Sequence, residues 1–131
     1  MRDLEHVVCK IIDWHYGKGI IDGATDETQC FKMLEEMIEL YCACHPDLPA
    51  HVLFEGFVRD AEKLNAQGKF KSVSEKNAQA EKIDAVGDMS VVGINILERN
   101  KTSLETCLNG VYEIISKRTG SLVNGTFVKD D

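Results

Sequence analysis

An all-α fold is the class this sequence predicts, and three observations predict it. Apolar residues recur at helical spacing nearly everywhere. Three capping pairs stand in front of three apolar stripes. Glycine or proline closes most of the stripes. Leu4, Val7, Val8, Ile11 and Ile12 make the first stripe, which Gly17 and Gly19 stop. Asp26 with Gln29 resembles a capping pair and opens a second helix over about 27–45, striped by Phe31, Leu34, Met37, Ile38 and Tyr41. Pro46 and Pro49 end it, and Pro49 can begin a third helix carrying Leu53, Phe54, Phe57, Val58, Ala61 and Leu64 up to Gly68. The stretch 46–72 has the least defined helical pattern and reads as an insertion. Ser72 with Glu75 caps a long helix to about residue 99, and Thr102 with Glu105 caps a last one striped by Leu104, Leu108, Val111, Tyr112 and Ile115. Only the tail departs from this. Leu122 to Val128 flanks Asn124-Gly125 with β-prone residues, the pattern of a short hairpin. The expected architecture is a helical bundle of about five helices with an extended or hairpin tail.

Composition narrows the class. The 131 residues, 44% of them hydrophobic, are enough for one domain with its own core. Fifteen Lys+Arg against 22 Asp+Glu leave a net charge of −7, which argues against a duplex nucleic-acid partner, since such proteins present a clustered basic face. The longest apolar run, Met89 to Leu97, is far short of the ~20 residues a membrane span requires. No basic, then apolar, leader opens the chain, so a cytoplasmic protein is expected. Five cysteines, an odd number, do not read as a disulfide framework, and buried free thiols are expected. Cys42-Ala43-Cys44-His45 is a poor zinc ligand set, because residues two apart on a helix point away from each other.

Two polar clusters could carry chemistry. Glu35, Glu36 and Glu39 share a helical sector of about 100°, opposite Leu34, Ile38 and Tyr41, and Lys32 lies in the same sector. A solvated face with a Lys32–Glu36 pair is one reading; a cation site that relieves the repulsion of three acids on one turn is the other. Asp84, Asp88 and Asn95 fall within about 40° of one another, with Glu81 and Arg99 extending the line. The rest of that segment is apolar nearly all round, so this stripe is expected to face protein, as a polar network or a metal site. Carboxylates without histidine select hard ions, magnesium or manganese. Redox di-iron chemistry is not expected, for want of Glu-x-x-His. Magnesium with a partly open shell points to phosphoryl chemistry. The Gly17–Gly23 segment misses the dinucleotide glycine spacing, and neither a phosphate-binding loop of the G-x-x-x-x-G-K-[ST] type nor a serine elbow is present.

The segment Lys32-Met33-Leu34-Glu35-Glu36-Met37-Ile38-Glu39, followed by Asp84-Ala85-Val86-Gly87-Asp88-Met89, resembles the MazG-like family. These are all-α nucleoside triphosphate pyrophosphohydrolases with a Glu-Glu-x-x-Glu segment and a downstream Glu-x-x-Asp segment around magnesium. Asn95 matches a polar family position. Trp14 and Lys18-Gly19-Ile20, and the ending from Tyr112 to Arg118-Thr119-Gly120 and Asn124-Gly125-Thr126-Phe127-Val128-Lys129, are similar to small phage and bacterial members. The resemblance covers most of the chain except about 46–72. It departs at Ala85, where the family has glutamate; Asp84 lies one residue earlier and on the Asp88 face.

The resemblance implies cleavage of a nucleoside triphosphate between its α and β phosphates, in control of the nucleotide pool, with a guanine nucleotide (dGTP or GTP) as the expected substrate. It implies magnesium, replaceable by manganese, on Glu36, Glu39 and Asp88, with Asp84 as the substitute fourth ligand. Glu35 would position or deprotonate the attacking water, directly or through a second ion, and Glu39 is the second residue expected to be essential. Lys18, Lys32, Asn95, Arg99, Lys117 and Arg118 are candidate substrate contacts. Trp14 could stack on the base or simply pack. Because the stripes exceed what one copy can cover, and because family sites lie between helices supported by neighbouring subunits, a homo-oligomer is expected, a tetramer ahead of a dimer. The alternative is a helical module that binds nucleotide or metal without turnover.

Overall fold

The computed structural model describes residues 2–130, and six helices precede a terminal hairpin: α1 (Arg2–Gly17), α2 (Ile20–Gly23), α3 (Asp26–Cys44), α4 (Ala50–Ala66), α5 (Glu75–Arg99), α6 (Leu104–Ile115), β1 (Gly120–Val123) and β2 (Thr126–Lys129). The predicted all-α class with a hairpin tail holds. The sixth helix is α2, a single turn inside what reads as a glycine-rich loop. Gly19, with φ of 72°, supplies the left-handed residue that turns the chain into it.

Helix starts lie one or two residues away from the expected caps. Thr25, not Asp26, caps α3: its hydroxyl accepts from the Thr28 N–H at 3.1 Å, and the Thr28 hydroxyl accepts from the Thr25 N–H at 3.0 Å. The last helix is capped by Ser103, which accepts from the Thr106 N–H at 3.1 Å, not by Thr102 with Glu105. Ser74 stands at the start of α5 and makes no capping side-chain bond, so the Ser72–Glu75 box is not formed. Pro49 precedes α4 as expected, and Gly68, with φ of 78°, closes it while the Lys69 N–H reaches back to Leu64 O at 3.0 Å.

The hairpin pairs Leu122 with Phe127 and Val123 with Thr126. Asn124 (φ 53°) and Gly125 (φ 79°) are both left-handed, which matches the twist of the flanking strands and accounts for the Asn-Gly choice. Its turn is fastened to α3 by the Thr28 hydroxyl, which donates to Gly125 O at 2.8 Å. Phe127 meets the edge of Trp14 at 5.6 Å between ring centroids, tying β2 to α1. Helix α1 also packs on α6, where Lys10 Nζ lies 4.9 Å from the centre of the Tyr112 ring. On α4, Gly56 leaves room for the Tyr41 hydroxyl, and Tyr41 meets Phe57 edge-on at 5.3 Å.

Packing is sparse elsewhere. Val7 and Ile20 are the only buried residues among those described. A compact monomer of this mass exposes about 6,900 Å², whereas this chain exposes 10639 Å². Helix α5 is exposed along most of its length, with Ile83 and Val91 each 68% accessible. The expectation that its polar stripe faces protein therefore fails within one copy: Asp84, Asp88, Asn95 and Arg99 are all exposed. The five cysteines are free, as expected, but Cys9, Cys30 and Cys44 are exposed rather than buried.

Candidate functional site

The middle of α3 brings the first acidic cluster together. Successive residues step about 100°, so Glu35, Glu36 and Glu39 emerge side by side with Lys32 among them. Lys32 Nζ pairs with Glu35 Oε2 and lies 3.9 Å from Glu36 Oε1. All of these groups are more than half exposed or nearly so, and such pairs contribute only a few tenths of a kcal/mol. The more informative group is Glu36. Its carboxyl is held above the ordinary carboxylate range, first by a side-chain hydrogen bond with Glu39, then by partial burial and by the charge of Glu39. The Lys32 ammonium opposes the shift, and the charge of Glu35 adds to it. Carboxylates held this close repel one another, and a hard divalent cation would relieve that repulsion. The α3 half of the expected ligand set thus fits such an ion.

The α5 half does not join it in one chain. Among the described residues, no three His, Cys, Asp or Glu side chains converge where they could hold a metal ion. Asp84 and Asp88 form no ion pair among the described residues. The one polar side-chain link between α3 and α5 among the described residues is Lys82 Nζ to Asp26 Oδ2, at 2.9 Å. It anchors α5 ten residues, or about 15 Å, along α3 from Glu36.

The remaining candidates scatter. Trp14 belongs to the joint between α1 and the hairpin, edge-on to both Phe127 and His15, with its Nε1 buried and without a hydrogen-bond partner. Lys18 is half-buried just beyond α1, where its N–H donates to Trp14 O. Lys117 is exposed and Arg118 half-buried in the turn after α6, and neither forms an ion pair among the described residues.

Among the concavities that adjoin α3, two are large. One, of about 910 Å³, is lined by Asp26, Glu27, Thr28, Cys30, Phe31, Leu34, Lys82, Asn124 and Thr126. It places a lysine that sequence reasoning passed over, Lys82, beside the N-terminal half of α3. The signal available was its position two residues before Asp84. The second, of about 860 Å³, is an apolar groove between α3 and α4, bounded by Ile38, Tyr41, Leu53, Phe54, Phe57 and Phe70. Its lining suits a protein surface better than a charged ligand.

The chain matches no family model, no curated protein and no solved structure.

Proposed function

We infer that the chain is a nucleoside triphosphate pyrophosphohydrolase that cleaves the α–β anhydride with magnesium. The observation that carries this is the cluster of Glu35, Glu36 and Glu39 on one turn of α3, where Glu39 holds the Glu36 carboxyl above the ordinary range, in a chain that repeats the MazG-like order of a double glutamate followed by Asp84 and Asp88. Glu36 and Glu39 would hold the ion, with Asp84 and Asp88 completing the set. Magnesium supplies polarisation of a phosphate oxygen and a lower pKa for bound water.

The chain's own groups account for the rest. Water attacks the α phosphorus as Glu35 takes its proton; the bond from that phosphorus to the α–β bridging oxygen breaks, and pyrophosphate leaves. Lys32 already touches Glu35, so an arriving phosphate competes for the same ammonium. Lys82 lines the 910 Å³ cleft and is paired with Asp26, about 15 Å along α3 from Glu36, so it would meet only the far end of the polyphosphate. Asn95, Arg99, Lys117 and Arg118 lie outside that cleft and enter only through assembly. A guanine nucleotide is the proposed substrate and nucleotide-pool control the proposed role, in a homo-oligomer.

The test is pyrophosphate release from a panel of ribo- and deoxynucleoside triphosphates with magnesium or manganese. Monophosphate and pyrophosphate in equal amounts, abolished by a chelator, are expected. No pyrophosphate from any triphosphate, or orthophosphate in its place, overturns the reading. A second reading, a module that binds without turnover, is favoured by Ala85 where the family has its glutamate. Thermal stabilisation by magnesium and nucleotide without product would establish it.

A further inference from the structure

We propose that this face is completed across two copies of the chain: α5 of each packs along α3 of the other, so that Glu36 and Glu39 of one copy face Asp84 and Asp88 of the second. The proposal deepens the functional reading above and rests on it for the chemistry, but the interface stands on separate observations.

The first is area. The surface exposed beyond that of a compact monomer is about 3,700 Å² per chain, or about 7,400 Å² over two copies, more than enough for the roughly 2,000–5,000 Å² in total that obligate dimers bury. The second is the pattern around each acidic stripe. On α3 the acids run between two apolar rows, Met33, Met37 and Leu40 on one side and Leu34 and Ile38 on the other, and all five are exposed. On α5 the aspartates run between Val91 and Val92, again both exposed. A helix apolar on both sides of a narrow polar line is built for burial in a bundle. Within one copy neither helix finds that bundle. Each offers what the other lacks, two apolar rows of equal reach with a polar line between them. The third is that the one polar side-chain link from α5 to its own α3 among the described residues is Lys82–Asp26, ten residues along α3 from Glu36, so that no such link brings a chain's own aspartates to its own glutamates. A twofold arrangement makes both exchanges at once and closes the assembly.

The experiment has two arms. In the first, heavy-isotope and ordinary protein are mixed, unfolded, refolded together and treated with a short chemical cross-linker. Peptides linking α3 to α5 are expected in heavy–light pairs, about half of the total for a random dimer. Pairs of one isotope only, or a monomeric mass, overturn the proposal. In the second, the Glu39→Gln and Asp88→Asn variants are assayed alone and after joint refolding. Each alone should be inactive, and the mixture should recover about a quarter of wild-type pyrophosphate release, because one site of each mixed dimer is intact. An inactive mixture of folded dimers shows that each copy supplies its whole ligand set and overturns the proposal. Heavy–light links in a protein that releases no pyrophosphate as wild type would instead remove the functional reading and leave the interface standing.

Discussion

Glu36 and Glu39 set the chemistry that a single residue can reveal. Because Glu36 binds its proton more tightly in the folded chain than in the unfolded one, its contribution to metal-free stability is fullest below the ordinary carboxylate pKa. That contribution declines as pH rises through the window up to the raised value. Glu39→Gln removes the charge that raises Glu36, so the slope of stability against pH in that window should flatten. Urea unfolding at a series of pH values with chelator present measures it, and an unchanged slope would show that Glu39 does not raise the Glu36 carboxyl. In the presence of magnesium the same substitution should lower turnover by more than ~100-fold, beyond the range seen when only outer-shell partners are lost, with the helical circular-dichroism signal kept. Asp84 allows a separate test. It stands about 40° from Asp88 on one side, and Ala85 about 60° on the other. Asp84→Asn should weaken manganese affinity and activity steeply, and adding Ala85→Glu should restore part of both. Unchanged affinity in Asp84→Asn would leave three carboxylates and more water as the ligand set. The double glutamate was legible from spacing alone. The separation of its partners was not, because a helical wheel orders residues around one helix and says nothing about which helix lies opposite.

Elements were read more faithfully than their ends. The periodic stripes predict α1, α3, α4, α5 and α6, and the Asn-Gly signal predicts the hairpin. The caps slipped because Ser, Thr and Asp stand next to one another before each helix: Thr25-Asp26, Ser72-Val73-Ser74 and Thr102-Ser103. Which of them caps is decided by the residue whose backbone is extended, as Thr25 is at φ −126° and ψ 164°. A single turn such as α2 has no period to detect. Thr28 shows why the exact cap matters. It closes the box with Thr25 and also holds Gly125 of the hairpin turn. Thr25→Ala should cost about 1 kcal/mol of stability and leave the fluorescence of Trp14 as it is. Thr28→Val should cost about 1–2 kcal/mol and also loosen the hairpin, moving the Trp14 emission through its contact with Phe127. Equal fluorescence in the two variants would show that the hairpin is held by its own pairing and by Trp14 rather than by α3.

At the scale of the molecule, two buried residues among those described are too few to hold the chain in a fixed fold. The exposed apolar rows of α3, α4 and α5 account for that deficit if they are covered by other copies. The sequence carried half of this, since stripes in excess of one core are countable. Which stripe stays uncovered depends on how the chain folds around α4, and that is a tertiary outcome. Val91 provides a direct test because it is 68% accessible in a single copy. A substitution at a solvent-facing site of this kind changes stability by less than about 0.5 kcal/mol. At an interface, Val91→Lys would break an apolar row with a long charged side chain that must be desolvated, and the burial lost on dissociation would follow the area, not the single side chain. The wild-type chain should therefore run at a multiple of 14.6 kDa in sedimentation and melt at a temperature that rises with protein concentration. Val91→Lys should shift the population toward the 14.6 kDa species and lower its melting temperature at equal concentration. Its remaining transition should lose its concentration dependence. A variant of wild-type mass and unchanged melting would mean that this row of α5 faces water in the assembled protein, and that another face of the chain covers its exposed surface.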